Sequence, residues 1–187
     1  VISCYDRFEI HARPSPPHSL HPNLLPRHES RSENQPFNMK GEEILQAAIG
    51  HTLRSGRLQS FYLNDELVNR VIVTFLYFDK WIRITSTDEK TTVSMVETIE
   101  NVTALGDEEF RYPIEPIETF FPEFKKYMGK TLIGFKELIL RSQVTLSFGV
   151  NLYFEGELNF IIHNQDYPVD RNEYCFDGRI PKDLKEK

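Results

Sequence analysis

LYFEGELNFII, residues 152–162, has a near copy upstream in LYFDKWIRI, residues 76–84. In both, an apolar and aromatic run meets a short acidic turn and resumes as an alternating stretch, the pattern of a strand, a turn and a returning strand. Alternation assigns the faces of the returning strands. Ile82 and Ile84 oppose Trp81, Arg83 and Thr85, while Leu158, Phe160 and Ile162 oppose Asn159, Ile161 and His163. The turns Asp79-Lys80 and Glu155-Gly156 have the length of a tight hairpin loop, and aligning the copies sets Trp81 over Glu157. Gly156 suits the positive φ of such a turn better than Lys80 does, so the first hairpin is expected to be the longer or looser of the two.

The echo extends outward. IGHTL at 49–53 lies over MGKTL at 128–132 with an offset of 79 residues, and LYFD lies over LYFE with an offset of 76. Each early echo closes a helical opening. In GEEILQAAIG the acids Glu42 and Glu43 favour a helix N-terminus and Gly50 a left-handed stop; in PEFKKYMG, Pro122, Glu123, Lys125, Lys126 and Gly129 do the same work. Segments rich in β-branched and aromatic residues follow both, including LVNRVIVTFLYF and TTVSMVE in the first and FKELIL, VTLSF and ELNFIIHN in the second. The expected fold is α+β and mainly antiparallel β: two helix-then-antiparallel-sheet units, at about 41–97 and 118–165, related by internal duplication.

At 187 residues, 40% apolar and 12% aromatic, the chain suits one domain, expected over 40–187. Residues 1–38 differ in kind, holding six of the 11 prolines and four of the six histidines, and read as a disordered leader. Met39 directly precedes the first helical opening, so the leader need not belong to the native product. Its four arginines balance its four acids, which assigns the whole net charge of -6 to residues 39–187. That charge, with no basic patch, argues against nucleic-acid binding. Apolar runs are too short for a membrane span, no secretory signal opens the chain, and Cys4 and Cys175 suggest no disulfide framework; a cytoplasmic setting follows.

The sharpest charge bias lies between the units. Residues 97–118 carry Glu97, Glu100, Asp107, Glu108, Glu109, Glu115 and Glu118 against one base, Arg111, and the prolines of RYPIEPIE favour an extended path. Such a segment is a solvated linker or a docking surface for a basic partner. Trp81 and Arg83, on the face opposite Ile82 and Ile84, form either an exposed aromatic and basic patch suited to an interface or a second core layer.

Chemistry is sparse. No phosphate-cradling glycine motif occurs, and outside the leader only His51, His163 and Cys175 are soft ligands, without metal-site spacing; neither a metal nor a cofactor is expected. The densest constellation is HNQDYPVDRNEYCFDG, in which His163, Asp166 and Cys175 form a chemically coherent base, orienting acid and nucleophile. The same run reads equally as polar turns preceding a tail whose Tyr174, Cys175 and Phe176 fold back on the core. Asp79 with Glu155, or Glu155 with Glu157, are the available carboxylate pairs, but exposed turns raise no carboxylate pKa. His51 and its counterpart Lys130 follow helix ends, where a cation is favoured by the dipole.

The function expected is that of a noncatalytic acidic binding domain, engaging a basic protein partner through Asp107, Glu108, Glu109, Glu115, Trp81 and Arg83, in the manner of a bacterial immunity-type or regulatory protein. The alternative is a small hydrolase or small-molecule-binding protein with a pocket between the units using His163, Asp166 and Cys175. A third expectation is homodimerisation through sheet edges.

Overall fold

The computed structural model describes residues 39–87, 89–99, 109–165, 169 and 171–187; the leader at 1–38 lies outside them. Helix α1 (Glu42–Ala48) precedes a meander of β1 (Ser55–Leu63), β2 (Glu66–Tyr77), β3 (Trp81–Ser86) and β4 (Thr91–Val96). Two short strands, β5 (Phe110–Arg111) and β6 (Ile114–Pro116), return to the other edge of β1. A helical turn, α2 (Ile117–Phe120), and a 3-10 helix (Pro122–Tyr127) lead into the second meander: β7 (Leu132–Leu140), β8 (Ser147–Phe154), β9 (Leu158–Asn164) and β10 (Asn172–Cys175). Finally β11 (Leu184–Glu186) returns to the other edge of β7. The strands of both sheets pair antiparallel, so the chain is an α+β protein dominated by two antiparallel sheets. The second sheet continues beyond Asn164 into β10, a strand hidden in sequence by the turn-forming Asn and Asp around it.

The halves share one register. Pairs from Ser55↔Tyr77 to Gln59↔Val73 in β1 and β2 answer pairs from Gly134↔Tyr153 to Leu138↔Gly149 in β7 and β8, at the offsets of 79 and 76 that the sequence echoes carry. The segments after the two helices pair with each other in the same exchanged way. The Gly50 N–H donates to Leu132 O and the Gly129 N–H to Leu53 O, both at 2.8 Å, while Leu53 N–H reaches Lys130 O and Leu132 N–H reaches His51 O. Further out, the buried Ser86–Thr91 hydroxyl pair has its counterpart in Asn164 donating to Asn172 at 3.2 Å.

Three local expectations are corrected. Tyr77↔Trp81 answers Tyr153↔Asn159, so Trp81 corresponds to Asn159 and not to Glu157, Ile82 to Phe160, and Ile84 to Ile162. The first hairpin turn is not the longer: both leave three residues unpaired, and the second ladder runs one pair further. Phe78 leaves its ladder to bury its ring, closing the first turn over Phe78-Asp79-Lys80, whereas Phe154 is buried while still paired with Leu158. Gly156 and Glu157, at φ +83° and +59°, then carry the chain round. The second opening helix is 3-10 and not α: it is six residues long, begins at Pro122, and buries Phe124 and Tyr127, which a three-residue repeat stacks on one side.

Both helices end as their sequences indicate, with Gly50 and Gly129 in left-handed conformations at φ +88° and +77°. Each helix packs on its own half and also touches the opposite one. Helix α1 lies near β7, and the Phe124 ring lies against Gly56 in β1, where a Cβ would come within 2.3 Å of it. One apolar core joins the two sheets: Leu58, Leu76, Ile82, Ile84 and Val93 share it with Val150, Leu152, Phe154, Phe160 and Ile162, and the helices add Leu45, Phe124 and Tyr127. Smaller clusters cover the outer faces. Val73, Phe75 and Ile114 form one on the first sheet, and Leu138, Leu140, Phe148, Ile161 and Leu184 form one on the second.

Candidate functional site

The fold brings two of the three predicted reactive residues together. In β9, Ile162 points into the shared core and its neighbour His163 to the outer face of the second sheet, opposite Glu173 of β10; Cys175 stands two residues further along the same face. His163 is 4% exposed, Cys175 is half-buried, and its Sγ lies 3.6 Å from His163 Nε2. With Nδ1 donating to the Asn164 carbonyl at 3.2 Å, Nε2 is left to accept from the thiol. A cleft of about 480 Å³ opens beside the pair, between these strands and the segment Pro181–Leu184, and Gln165, Glu173 and Asp183 supply its polar lining.

The electrostatics do not activate this pair. Burial lowers the His163 pKa, an effect that the Asn164 hydrogen bond and the Glu173 charge only partly oppose. Burial also raises the Cys175 pKa, and the charges of Asp177 and Glu173 push it the same way. A nucleophilic cysteine needs the reverse, a thiolate held by a nearby cation. Here a neutral thiol faces a neutral imidazole. Asp166, the expected orienting acid, lies outside the described residues; Glu173, which does face the pair, is within 3.5 Å of Arg171. The sequence contained one signal for Glu173, the alternation Asn172-Glu173-Tyr174-Cys175, which places it beside Cys175 on the outer face. The inward partner Tyr174 donates or accepts a hydrogen bond with Thr74 at 2.8 Å and packs with Phe176 against the main core.

Of the predicted binding residues, Trp81 is half-buried on the outer face of the first sheet. Its ring centroid lies 4.9 Å from that of Tyr77, and it packs with Val96 and Ile99 against the cluster of Val73, Phe75 and Ile114. Arg83, opposite Phe75, is exposed beside it. Asp107 and Glu108 lie outside the described residues. Glu109 is exposed just before β5, and Glu115 is half-buried within β6, opposite Leu58. The connection runs extended as expected through β5 and β6, then turns helical at Ile117. Its one base, Arg111, bonds Asp65 in the β1–β2 turn at 2.6 Å and stacks on Tyr62.

The carboxylates of the hairpin tips are fastened locally. Asp79 bonds His51 and lies 3.3 Å from Arg54, while Glu155 accepts from the Thr131 N–H at 3.4 Å. Both tie a hairpin to the segment that follows a helix, a structural role. Among the described residues, no group of three or more His, Cys, Asp or Glu side chains could hold a metal ion, and no helix is long and apolar enough to cross a membrane. No protein-family model matches the chain, and neither does a curated protein or a solved structure.

Proposed function

We infer that the chain is a noncatalytic binding domain that engages a basic protein partner through the acidic connection between its halves, as a cytoplasmic protein of immunity-type or regulatory character. The observation that carries this reading is the state of the connection's charges. Arg111, its only base, is taken by Asp65, and Glu97, Glu109 and Glu115 form no ion pair with another described residue. Ile99 packs on the cluster that holds Trp81, so the connection begins beside an aromatic ring and the exposed Arg83, residue types favoured as interface anchors. Glu97 and Glu109 are exposed and Glu115 is half-buried, and none gives up an ion pair with a described residue on meeting a cation.

The test is affinity capture from the native source, followed by titration of the purified partner. A basic protein should be recovered whose affinity falls with salt and falls about tenfold in the double variant Glu109→Lys/Glu115→Lys. Glu89→Lys, a charge reversal in the β3–β4 turn, should leave it unchanged. Salt-independent binding, or equal loss in all variants, contradicts the reading.

A second reading, hydrolysis by Cys175 and His163, is favoured by their contact in a cleft. Alkylation of Cys175 by iodoacetamide across a pH series separates the two. A binding domain predicts slow alkylation that accelerates only above the ordinary cysteine pKa, because burial and acidic neighbours hold the thiol protonated. Fast alkylation at neutral pH, lost in His163→Gln, would instead establish an activated pair.

A further inference from the structure

The shared register allows each side chain to be compared with its counterpart, and one such comparison leaves a space. In the second half the Tyr127 ring is fully buried, 5.5 Å from the ring of Phe154, 5.7 Å from Phe160 and 6.0 Å from Phe176. At the same register the first half has Ala48 for Tyr127, Phe78 for Phe154, Ile82 for Phe160 and Met95 for Phe176. Ala48 and its neighbour Ala47 reach no further than Cβ. A groove of about 350 Å³ opens between them and Phe78, Ile82 and Met95. Met95 at its edge is 57% exposed, although its counterpart Phe176 is stacked on Phe160 with ring centroids 5.2 Å apart.

The rim is polar and carries one unmatched charge. Asp79 is held by His51 and Arg54, whereas the exposed Lys80 forms no ion pair with another described residue. We propose that this groove binds a small aromatic acid, its ring taking the place that the Tyr127 ring holds in the second half and its carboxylate directed to Lys80. An aromatic guest fits the lining better than an aliphatic one, because Phe78 offers a ring to its edge or face and Met95 a polarisable thioether. The volume is at the lower end of the range of small-molecule sites, with room for a fused pair of rings. The site uses none of the connection's carboxylates, so it stands apart from partner binding.

Titration of the full chain with 2-naphthoate, followed through the methyl resonances of Met95, Ala47 and Ala48, tests the proposal. Saturable shifts are expected at these methyls, with affinity about three- to tenfold weaker for cyclohexanecarboxylate and reduced in Lys80→Ala. Ala48→Phe, which supplies the missing ring from within, should abolish binding and raise the thermal midpoint. Met95→Phe, at an exposed position and therefore safe for folding, should weaken binding whether or not Ala48→Phe folds. The proposal is overturned by the absence of saturable shifts, by equal affinity for the alicyclic acid, or by binding that survives both ring-filling variants. Shifts of the same methyls on adding a phenylalanine-bearing peptide, but with no free aromatic acid, would also overturn it and point to a protein occupant.

Discussion

His163 and Cys175 illustrate how little proximity alone confers. The pair is close enough for a weak hydrogen bond, yet burial moves each pKa away from the ion-pair state. The same burial has a consequence for stability. Because the folded-state pKa of His163 lies below its ordinary value of 6.5, the unfolded chain takes up a proton near that pH while the folded chain does not. The contribution is therefore fully present above about pH 6.5 and is lost as the pH falls towards the folded value. Urea midpoints measured between pH 7.5 and 5 should decline, and the decline should be shallower in His163→Gln, whatever that variant's stability at neutral pH. An unchanged slope in the variant would mean that another group carries the acid sensitivity.

At the scale of the element, the helices and first strands divide bulk between them in opposite ways. The 3-10 helix presents Phe124 to a strand with Gly56, and the corresponding residues of α1 and β7 are Leu45 and Phe135. A side chain at Gly56 has no room while Phe124 is present. Gly56→Val should destabilise the protein by about 1–3 kcal/mol, the usual cost of overpacking, and Phe124→Leu should recover part of that loss. Denaturant midpoints of the two single variants and the double variant give the coupling; strictly additive losses would refute the steric account. The same scale explains the hairpins. Both turns span three residues, but the second ladder runs one pair further because Phe78 and Phe154 reach the core from inside and outside the turn respectively, a choice the shared letters LYF do not reveal.

For the whole molecule, the decisive fact is that one core joins both sheets and both helices. Neither sheet keeps its inner face covered alone, so the halves should unfold together. Trp81 fluorescence reports on the first sheet and protection of Cys175 from alkylation reports on the second. In urea both should give the same midpoint, and two separated transitions would show halves that fold independently.

Much of this was legible in the chain. The offsets of 79 and 76, the left-handed stops at Gly50 and Gly129, and the inward faces of Ile82, Ile84, Phe160 and Ile162 were fixed by local pattern, because helix ends and strand faces depend on neighbours in sequence. The outer-face position of Trp81 and Arg83 followed from the same alternation. Other features required the third dimension. Burial lowers the His163 pKa and raises that of Cys175, and β10 is a strand because β9 offers it an edge. The groove beside Ala48 exists only because Phe78, Ile82 and Met95 converge there from three separate segments without a ring to fill the space between them. Sequence determined the repeated grammar of helix, stop and hairpin; tertiary packing decided where the two halves differ, because the volume left at each position depends on side chains distant along the chain.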